Sequence, residues 1–267
     1  MWPLEFAANR QRGVLRIGRE RAELWGWAGA GLALRSHHGL GAEPGAEPAL
    51  EAELRGWLGA WLGAPGTDAP AGPVDVVLES AWLPVMLVEL GRSLWSRAQV
   101  ERLLRHRLAQ LYMNPGDPAS TWQLQLDHRA GDPQAIGYGL APAVRQAVLG
   151  AMAASGLRAA SLQPAFAWGW QRLERRRRGL REGWWTWIEQ DRAVVCRIER
   201  GRIAAMNAGA AAPAGEGEVT RLVAVEAAQL GIAPPLGEAV ALGWEDAAGA
   251  DTRRLAPRPA GPSEVAA

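Results

Sequence analysis

The chain has 267 residues, of which 48% are hydrophobic and 21% are charged. This length allows one large domain or two smaller lobes, each with a sizeable core. The net charge is +1, which gives no global attraction to nucleic acid. All 29 basic residues are arginine. The chain therefore has no lysine to bind a phosphate, form a Schiff base or act as a base of lowered pKa.

Cysteine usage and the shortness of the apolar segments favour a cytoplasmic location. Cys196 is the single cysteine, so no internal disulfide can form, as is typical of a reducing compartment. Residues 1–5 lack the charged and apolar regions of a signal peptide. The most apolar run, residues 81–90, is interrupted by Pro84 and Glu89. It is far shorter than the roughly 18 residues that indicate a membrane span.

Strand and helix patterns alternate through the first part of the chain. Apolar runs between turn residues predict strands at residues 14–27 (a pair around a turn at 18–21), 74–78, 82–90, 122–128, 134–140 and 157–162. Apolar residues at helical spacing predict helices at residues 50–62, 96–111, 143–154 and from Pro164 onwards. This alternation predicts an α/β fold.

The helix near residue 96 has the clearest start signal. Ser96 and Gln99 form an S-x-x-Q capping box, which satisfies backbone amides at a helix N-terminus. The polar face of this helix includes His106, which we expect to be exposed. The predicted buried face consists of Val100, Leu103, Leu104, Leu108 and Leu111.

Consecutive strands follow the arginine-rich run at residues 175–181. These strands are predicted at residues 184–189, 193–199 and 202–207. Residues 218–244 carry at most one strand and a short helix. Residues 245–267, rich in Ala, Gly, Pro and Arg, are predicted to be disordered. The pattern predicts two α/β lobes that meet near residue 183.

The order of elements and several short motifs between residues 74 and 202 carry a resemblance to a known family. The motifs are a strand at Val74–Leu78, a proline-containing stretch at residues 83–86, Val-Glu-Leu at 88–90, Tyr-x-x-Pro at 112–115, Leu-Asp-His at 126–128 and Ala-Ser-Gly-Leu at 154–157. This segment resembles the PilM family of type IV pilus assembly proteins. It also resembles the cytoplasmic part of GspL, a relative in type II secretion.

The resemblance implies an α/β, actin-like fold built from two RNase-H-like lobes, with mixed sheets flanked by helices. Residues 1–182 would form the first lobe, with an inserted subdomain at about residues 83–142. Residues 183–244 would form a shortened second lobe.

The resemblance also implies a partner and a location. Members of the family hold the cytoplasmic N-terminus of a bitopic membrane protein in a groove on the first lobe. The implied partner is therefore a PilN-like inner-membrane protein, and the implied location is cytoplasmic, peripheral to the inner membrane. From position alone, the predicted groove residues are Trp82, Leu83, Trp122 and Tyr138.

Two short segments bear on whether a nucleotide can bind. Actin-like proteins hold nucleotide phosphates with one Asp-x-Gly turn in each lobe, where Asp holds the metal and Gly admits the phosphate. The corresponding residues are Arg16-Ile17-Gly18 and, counted back from the Gly201 turn, Trp187-Ile188-Glu189. A guanidinium cannot coordinate a metal, and an indole blocks the space of a phosphate. We therefore expect no cofactor and a degenerate site at Arg16, Gly18, Trp187 and Glu189.

Other chemical sites have weak support in the sequence. His37 and His38 could form a metal pair, but adjacent side chains point apart, so a solvated loop is the favoured interpretation. Cys196 alternates with apolar neighbours on a predicted strand and is expected to be a small core residue. We find no hydrolase, metalloprotease or P-loop motif, and we predict no metal site.

Two surface features leave alternatives open. The 14 tryptophans could stack on nucleic acid or sugar, although core packing explains most of them and nucleic acid is not an expected partner. The basic run Arg175, Arg176, Arg177 and Arg178 is either a solvated loop or a contact with an anionic membrane surface.

The sequence thus favours a non-catalytic cytoplasmic scaffold of a type IV pilus or type II secretion assembly platform. An ATP-binding enzyme of the actin-like fold, such as a kinase or ATPase, is the main alternative. A stand-alone binding module is a third possibility. The sequence gives no oligomeric state.

Overall fold

The computed structural model describes residues 13–28, 31–67, 69–70, 72–91, 95–112, 121–128, 132–176, 181–190, 192–210, 216–232 and 239–244. In chain order the strands are β1 (Val14–Ile17), β2 (Arg21–Ala28), β3 (Gly31–Gly39), β4 (Val74–Leu78), β5 (Val85–Glu89), β6 (Gln123–Asp127), β7 (Gln134–Leu140), β8 (Ala159–Pro164), β9 (Glu182–Ile188), β10 (Arg192–Glu199), β11 (Arg202–Ala210) and β12 (Ala239–Gly243). The helices are α1 (Glu47–Leu62), α2 (Arg97–Tyr112), α3 (Pro142–Ala154), α4 (Ala165–Arg176) and α5 (Glu216–Gln229).

The chain divides into two compact units, Met1–Trp168 and Gly169–Ala267. The division falls within α4, before the boundary expected near residue 183. The predicted tail, residues 245–267, lies outside the described residues.

The first unit contains a five-stranded sheet with the order β3-β2-β1-β4-β8. The first three strands are antiparallel, whereas β1, β4 and β8 run parallel. Every residue of β4 is buried, as expected for the apolar Val74–Leu78 run with a parallel neighbour on each side. Helices α1 and α3 pack against each other, and the buried residues of α1 are Leu50, Leu54 and Leu58.

The edge strands of this sheet account for two corrections. His37 and His38 lie on β3 and not in a loop. The apolar alternation of β3 is weak because it is an edge strand, and its Leu34 is 45% exposed. Pro164 is the last residue of β8 and does not open α4, which begins at Ala165. Proline is tolerated there because an edge strand needs no ladder donor on its outer side.

A second sheet, with the order β5-β7-β6, is antiparallel and lies within the predicted inserted segment. Helix α2 packs on one face of this sheet and forms a separate core with it. The buried members of that core are Met86, Val88, Leu90, Val100, Leu104, Leu108, Leu126 and Ala135. The predicted capping box is confirmed. The backbone amide of Gln99 donates to Ser96 Oγ at 3.3 Å, and the backbone amide of Ser96 donates to Gln99 Oε1 at 2.8 Å.

One residue of the predicted buried face of α2 is misplaced. The last helical member of the described core is Leu108, and Leu111, one turn later, is 66% exposed. The prediction for Leu111 was wrong because helical periodicity gives the direction of a side chain, not how far the underlying sheet extends.

The second unit repeats the strand order of the first. Its sheet has the order β11-β10-β9-β12, with antiparallel pairing up to β9 and parallel pairing of β9 with β12. Helix α5 precedes β12, just as α1 precedes β4. Each unit therefore contains the succession β-β-β-α-β with the same strand neighbours and directions. The described part of the second sheet has no equivalent of β8.

Candidate functional site

The turns after β1 and β9 have the same hydrogen bond. The Gly18 amide donates to the Arg21 carbonyl at 3.0 Å, and the Glu189 amide donates to the Arg192 carbonyl at 2.8 Å. This bond places Gly18 and Glu189 at equivalent positions, each one residue after its strand. Arg16 and Trp187 are equivalent in the same way, two residues earlier. The pairs of residues compared from sequence thus occupy matching places in the two hairpins.

Arg16 is buried and paired with two carboxylates. Its Nε donates to Glu79 Oε1 at 2.7 Å, and its Nη1 donates to Glu23 Oε2 at 3.0 Å. Its Nη2 also donates to Glu79. All three residues are at most 5% exposed. The position that the sequence resemblance matches to a metal-binding Asp therefore holds a cation fixed by two buried acids.

Neighbouring side chains complete this cluster and hold the turn. Glu23 also accepts from Trp25 Nε1 at 3.1 Å and from Arg21 Nε at 2.7 Å. Trp82 Nε1 donates to the Gly18 carbonyl at 2.7 Å. The two acids were not predicted from the sequence. The sequence feature that could have indicated these acids is Arg16 itself, an arginine among apolar residues of a predicted strand. A buried charge of this kind requires a partner of opposite charge.

Trp187 fills its side of the second hairpin. It is 1% exposed and lies 6.4 Å from the Trp185 ring, centroid to centroid. Helix α4 covers this face, since the Trp170 and Trp185 rings are 5.1 Å apart. A Cβ added to Gly169 would lie 2.4 Å from the Trp187 ring, so the α4 backbone lies directly against the indole. Glu189, at the turn, is also buried.

Two of the four predicted groove residues meet in one recess of the first unit. Leu83 and Tyr138 line a narrow surface recess with a volume of about 20 Å³. The other residues that line it are Gln123, Leu124, Gln125, Leu140, Leu162 and Pro164. They come from β6, β7 and β8, and both β6 and β8 are edge strands of their described sheets. The recess is mostly apolar and has no charged side chain in its lining.

The other predicted site residues lie elsewhere. Trp82 is 2% exposed and donates to the turn at Gly18. Trp122 packs against the core of α2 and the three-stranded sheet. In the predicted basic run, Arg175 and Arg176 are the last two residues of α4. Arg177 and Arg178 lie outside the described residues.

The histidines and the cysteine form no metal site in the described part of the chain. There, no group of three or more His, Cys, Asp and Glu side chains is placed to hold a metal ion. His38 stacks on Trp57, with ring centroids 5.9 Å apart, and His106 is exposed as predicted. Cys196 is fully buried, as expected. Its burial, with a smaller contribution from the Glu226 carboxylate, raises the pKa of the thiol well above its usual value.

Many of the tryptophans lie in the core. Of the 12 tryptophans whose burial the structure describes, seven are at most 8% exposed, and these are Trp25, Trp82, Trp168, Trp184, Trp185, Trp187 and Trp244. No helix within the described ranges is long and apolar enough to span a membrane.

Comparison with known proteins finds similarity in structure. No protein-family model matches the chain, and no curated protein sequence matches it. A Bacteroides thetaiotaomicron protein of actin-like ATPase fold and unknown function aligns with a TM-score of 0.51 and 11% identity, over 86% of this chain and 81% of that one. The PilM–PilN type IV pilus biogenesis complex aligns with a TM-score of 0.51 and 15% identity, over 84% of this chain and 66% of that one.

A third similar structure is the cytoplasmic domain of EpsL, an inner-membrane component of the type II secretion system of Vibrio cholerae. It aligns with a TM-score of 0.48 and 15% identity, over 86% of this chain and 81% of that one. A TM-score below 0.5 adds no weight to a shared fold.

The chain has an actin-like fold, an α/β architecture of mixed sheets flanked by helices. The same strand order in both units agrees with this assignment. The predicted resemblance to PilM-like proteins is confirmed at the level of the fold.

Proposed function

We propose that this chain is a non-catalytic cytoplasmic scaffold, peripheral to the inner membrane. It would belong to the assembly platform of a type IV pilus or a type II secretion machine. In this role it docks the cytoplasmic N-terminus of a PilN-like bitopic membrane protein. The actin-like fold that it shares with the PilM–PilN complex supports this proposal.

The recess lined by Leu83 and Tyr138 is the observation on which the docking role rests. Two edge strands, β6 and β8, contribute to it. An edge strand presents a row of backbone donors and acceptors, to which an extended peptide can pair. The apolar lining offers burial to an aliphatic side chain of such a peptide. A short extended segment of a partner is therefore the ligand that this recess suits best.

The two equivalent turns support the non-catalytic part of the proposal. At the first turn, Arg16 cannot hold a divalent metal because its guanidinium is cationic and already bound to Glu23 and Glu79. At the second, the Trp187 indole is packed under α4. A phosphate would need space and a free metal ligand at these places. At the first turn the carboxylates of Glu23 and Glu79 are bound to Arg16, and at the second the Trp187 indole occupies the space.

The basic run at residues 175–178 fits the same location. Four consecutive arginines near an anionic bilayer each add about 1 kcal/mol of attraction. Such a contact would hold the scaffold close to the membrane in which its partner is anchored.

Peptide binding tests the docking role. The ligand is a synthetic peptide of the cytoplasmic N-terminus of the PilN-like protein from the same genome, titrated by calorimetry. We expect saturable binding, weakened at least about tenfold by Tyr138→Ala, since truncating a central anchor costs 2 kcal/mol or more. Gln125→Arg, which places a charge at the recess, weakens binding in the same way.

The matched control is Leu34→Ala, an exposed residue on β3 outside the recess. It leaves binding unchanged. Absence of binding by the wild-type chain at about 1 mM peptide contradicts the docking role. Equal losses for Tyr138→Ala and Leu34→Ala contradict the choice of recess.

A further inference from the structure

A larger cavity lies beside the recess around Tyr138. Its volume is about 460 Å³, against about 20 Å³ for the recess. The residues that line this cavity are Gln123, Pro142, Arg145, Gln146, Leu149 and Gly150. Gln123 also lines the recess, so the two spaces are neighbours at the first residue of β6. A peptide held in the recess therefore has room to continue into the cavity.

The two spaces adjoin because α3 begins where β7 ends. Gln123 pairs with Leu140, which is the last residue of β7 and also lines the recess. Helix α3 starts two residues later, at Pro142. The five cavity residues of α3 follow the spacing i, i+3, i+4, i+7 and i+8, so they share one side of the helix. None of the five belongs to the buried residues of α3, so this side faces outward.

The charge in this region is a single arginine. Among the described residues that line either space, Arg145 is the one with a charged side chain. This side chain is exposed and has no hydrogen-bond or ion-pair partner among the residues that the structure describes. Glu51 of α1 borders the cavity, since a Cβ at Gly150 would lie 3.0 Å from its Oε1, but its carboxylate is paired with Arg55. The Arg145 guanidinium is therefore available to an acid from outside the chain.

We propose that Arg145 binds an acidic side chain of the docked peptide and so selects the partner sequence. This inference rests on the proposed function, because the peptide runs along β6 from the recess into the cavity. Its aliphatic side chain lies beside Tyr138, and its carboxylate accepts hydrogen bonds from Arg145. The side-chain amides of Gln123 and Gln146 are further donors in the lining.

The geometry of an extended chain sets the spacing of these two peptide residues. Alternate residues of a strand point to the same face and lie about 7 Å apart. The same interval separates Gln125, which lies opposite Tyr138 in the recess, from Gln123, which lines the cavity. An acid two or four positions from the aliphatic residue is therefore on the correct side of the peptide to meet Arg145. A Lys or Arg at these positions would face a like charge, which disfavours such a partner.

Calorimetric titration of the full chain with the PilN-like N-terminal peptide tests this pairing. The peptide is amidated at its C-terminus, and each Asp or Glu is replaced in turn by Asn or Gln. We expect Arg145→Gln to weaken binding about three- to tenfold and Arg145→Glu to weaken it further. Neutralising one acid of the peptide should cause the same loss in the wild-type chain and no further loss in Arg145→Gln, because the pair is already broken.

The control is Arg158→Gln, which removes an exposed arginine outside both linings and leaves the affinity within about twofold. Melting temperatures confirm that each variant is folded. Binding that Tyr138→Ala weakens and Arg145→Gln does not would overturn the selection of an acid and leave the docking role intact. Absence of binding by the wild-type chain would overturn both proposals.

Two further outcomes separate a peptide carboxylate from other ligands of Arg145. A loss with Arg145→Gln that persists when every acid of the peptide is neutralised overturns the proposal, because the arginine then contacts another group. Inorganic phosphate is titrated as the second ligand. Phosphate binding that requires Arg145, with peptide binding that does not, would make the cavity a site for free anions and also overturn the proposal.

Discussion

Arg16 and Glu79 form a buried ion pair between β1 and the residue that follows β4. Arg16 Nε donates to Glu79 Oε1 at 2.7 Å, across 63 residues of the chain. The two strands are parallel neighbours, and Arg16 aligns with Val77, which places Glu79 just beyond it. A pair with so little exposure is costly to break, because the remaining charge cannot reach water.

Replacing Arg16 by alanine should destabilise the fold strongly. The change removes the Arg16 guanidinium from buried Glu79 and leaves Glu23 with Arg21 as its remaining arginine partner, and we expect the free energy of unfolding to fall by about 3–5 kcal/mol. The matched control is Arg19→Ala. Arg19 forms an exposed 3.0 Å ion pair with Glu43, and its loss should cost about 0–1 kcal/mol. Urea unfolding measures both, and similar losses would show that Arg16, Glu23 and Glu79 do not form a buried network.

Mg·ATP should not stabilise the chain. The proposed absence of a nucleotide site means that the melting temperature stays the same at millimolar Mg·ATP. A ligand at 100 times its dissociation constant would add about 2.7 kcal/mol. Thermal denaturation with and without nucleotide is the measurement. A rise in melting temperature with nucleotide that Glu79→Gln abolishes would favour the alternative of an ATP-binding enzyme. The docking role would then still be decided by the peptide titration.

Gly169 should not tolerate a side chain. A Cβ there would lie 2.4 Å from the Trp187 ring, and we expect Gly169→Ala to cost about 1–3 kcal/mol through overpacking. Gly59→Ala in α1 is the control, since a Cβ at that glycine meets nothing within 4 Å. That change should stabilise the chain by about 0.5–1 kcal/mol because alanine is the better helix former. Chemical denaturation should therefore show a loss of stability for Gly169→Ala and a gain for Gly59→Ala. A gain of stability at both positions would contradict the close packing of α4 on Trp187.

The buried thiol of Cys196 should make stability fall at high pH. Burial, and less strongly Glu226, raises its pKa in the folded state above the ordinary value of 9.0. Above pH 9 the unfolded chain loses this proton and the folded chain keeps it, so ionisation favours unfolding. The slope approaches about 1.4 kcal/mol per pH unit.

The measurement is the difference in unfolding free energy between wild type and Cys196→Ala. This difference in free energy is constant at lower pH. It falls as the pH rises above the pKa of the thiol in the unfolded chain, because alanine has no proton to lose. A difference that stays constant to about pH 10.5 would mean that the thiol titrates normally in the folded protein.

The elements that could be predicted are those whose local pattern matches their burial. The strand predicted at residues 74–78 coincides with β4, because a fully buried strand is a continuous apolar run. The start of α2 could be predicted from Ser96 and Gln99, because a capping box involves only residues that are close in the sequence. Strand β3 could not be predicted, because an edge strand packs on few neighbours and retains little apolar alternation.

The candidate site could be predicted only in part, because its contacts join residues that are far apart in the sequence. Position alone placed Leu83 and Tyr138 among the predicted groove residues, and the structure brings these two into one recess. Trp82, adjacent to Leu83, is directed to the Gly18 carbonyl instead. The partners of Arg16 were also hidden, because a pairing across 63 residues depends on strand order rather than on local spacing.

Tyr138 and the outer surface of α2 lie on opposite sides of the three-stranded sheet. Gly137 and Gly139 contact Leu104 and Leu108 of the helix, so Tyr138 points away from it. A peptide held beside Tyr138 would therefore be separated from α2 by the sheet. Charge changes on the exposed side of α2 should leave its affinity unchanged, which gives the peptide titration a second set of controls that keep the recess intact.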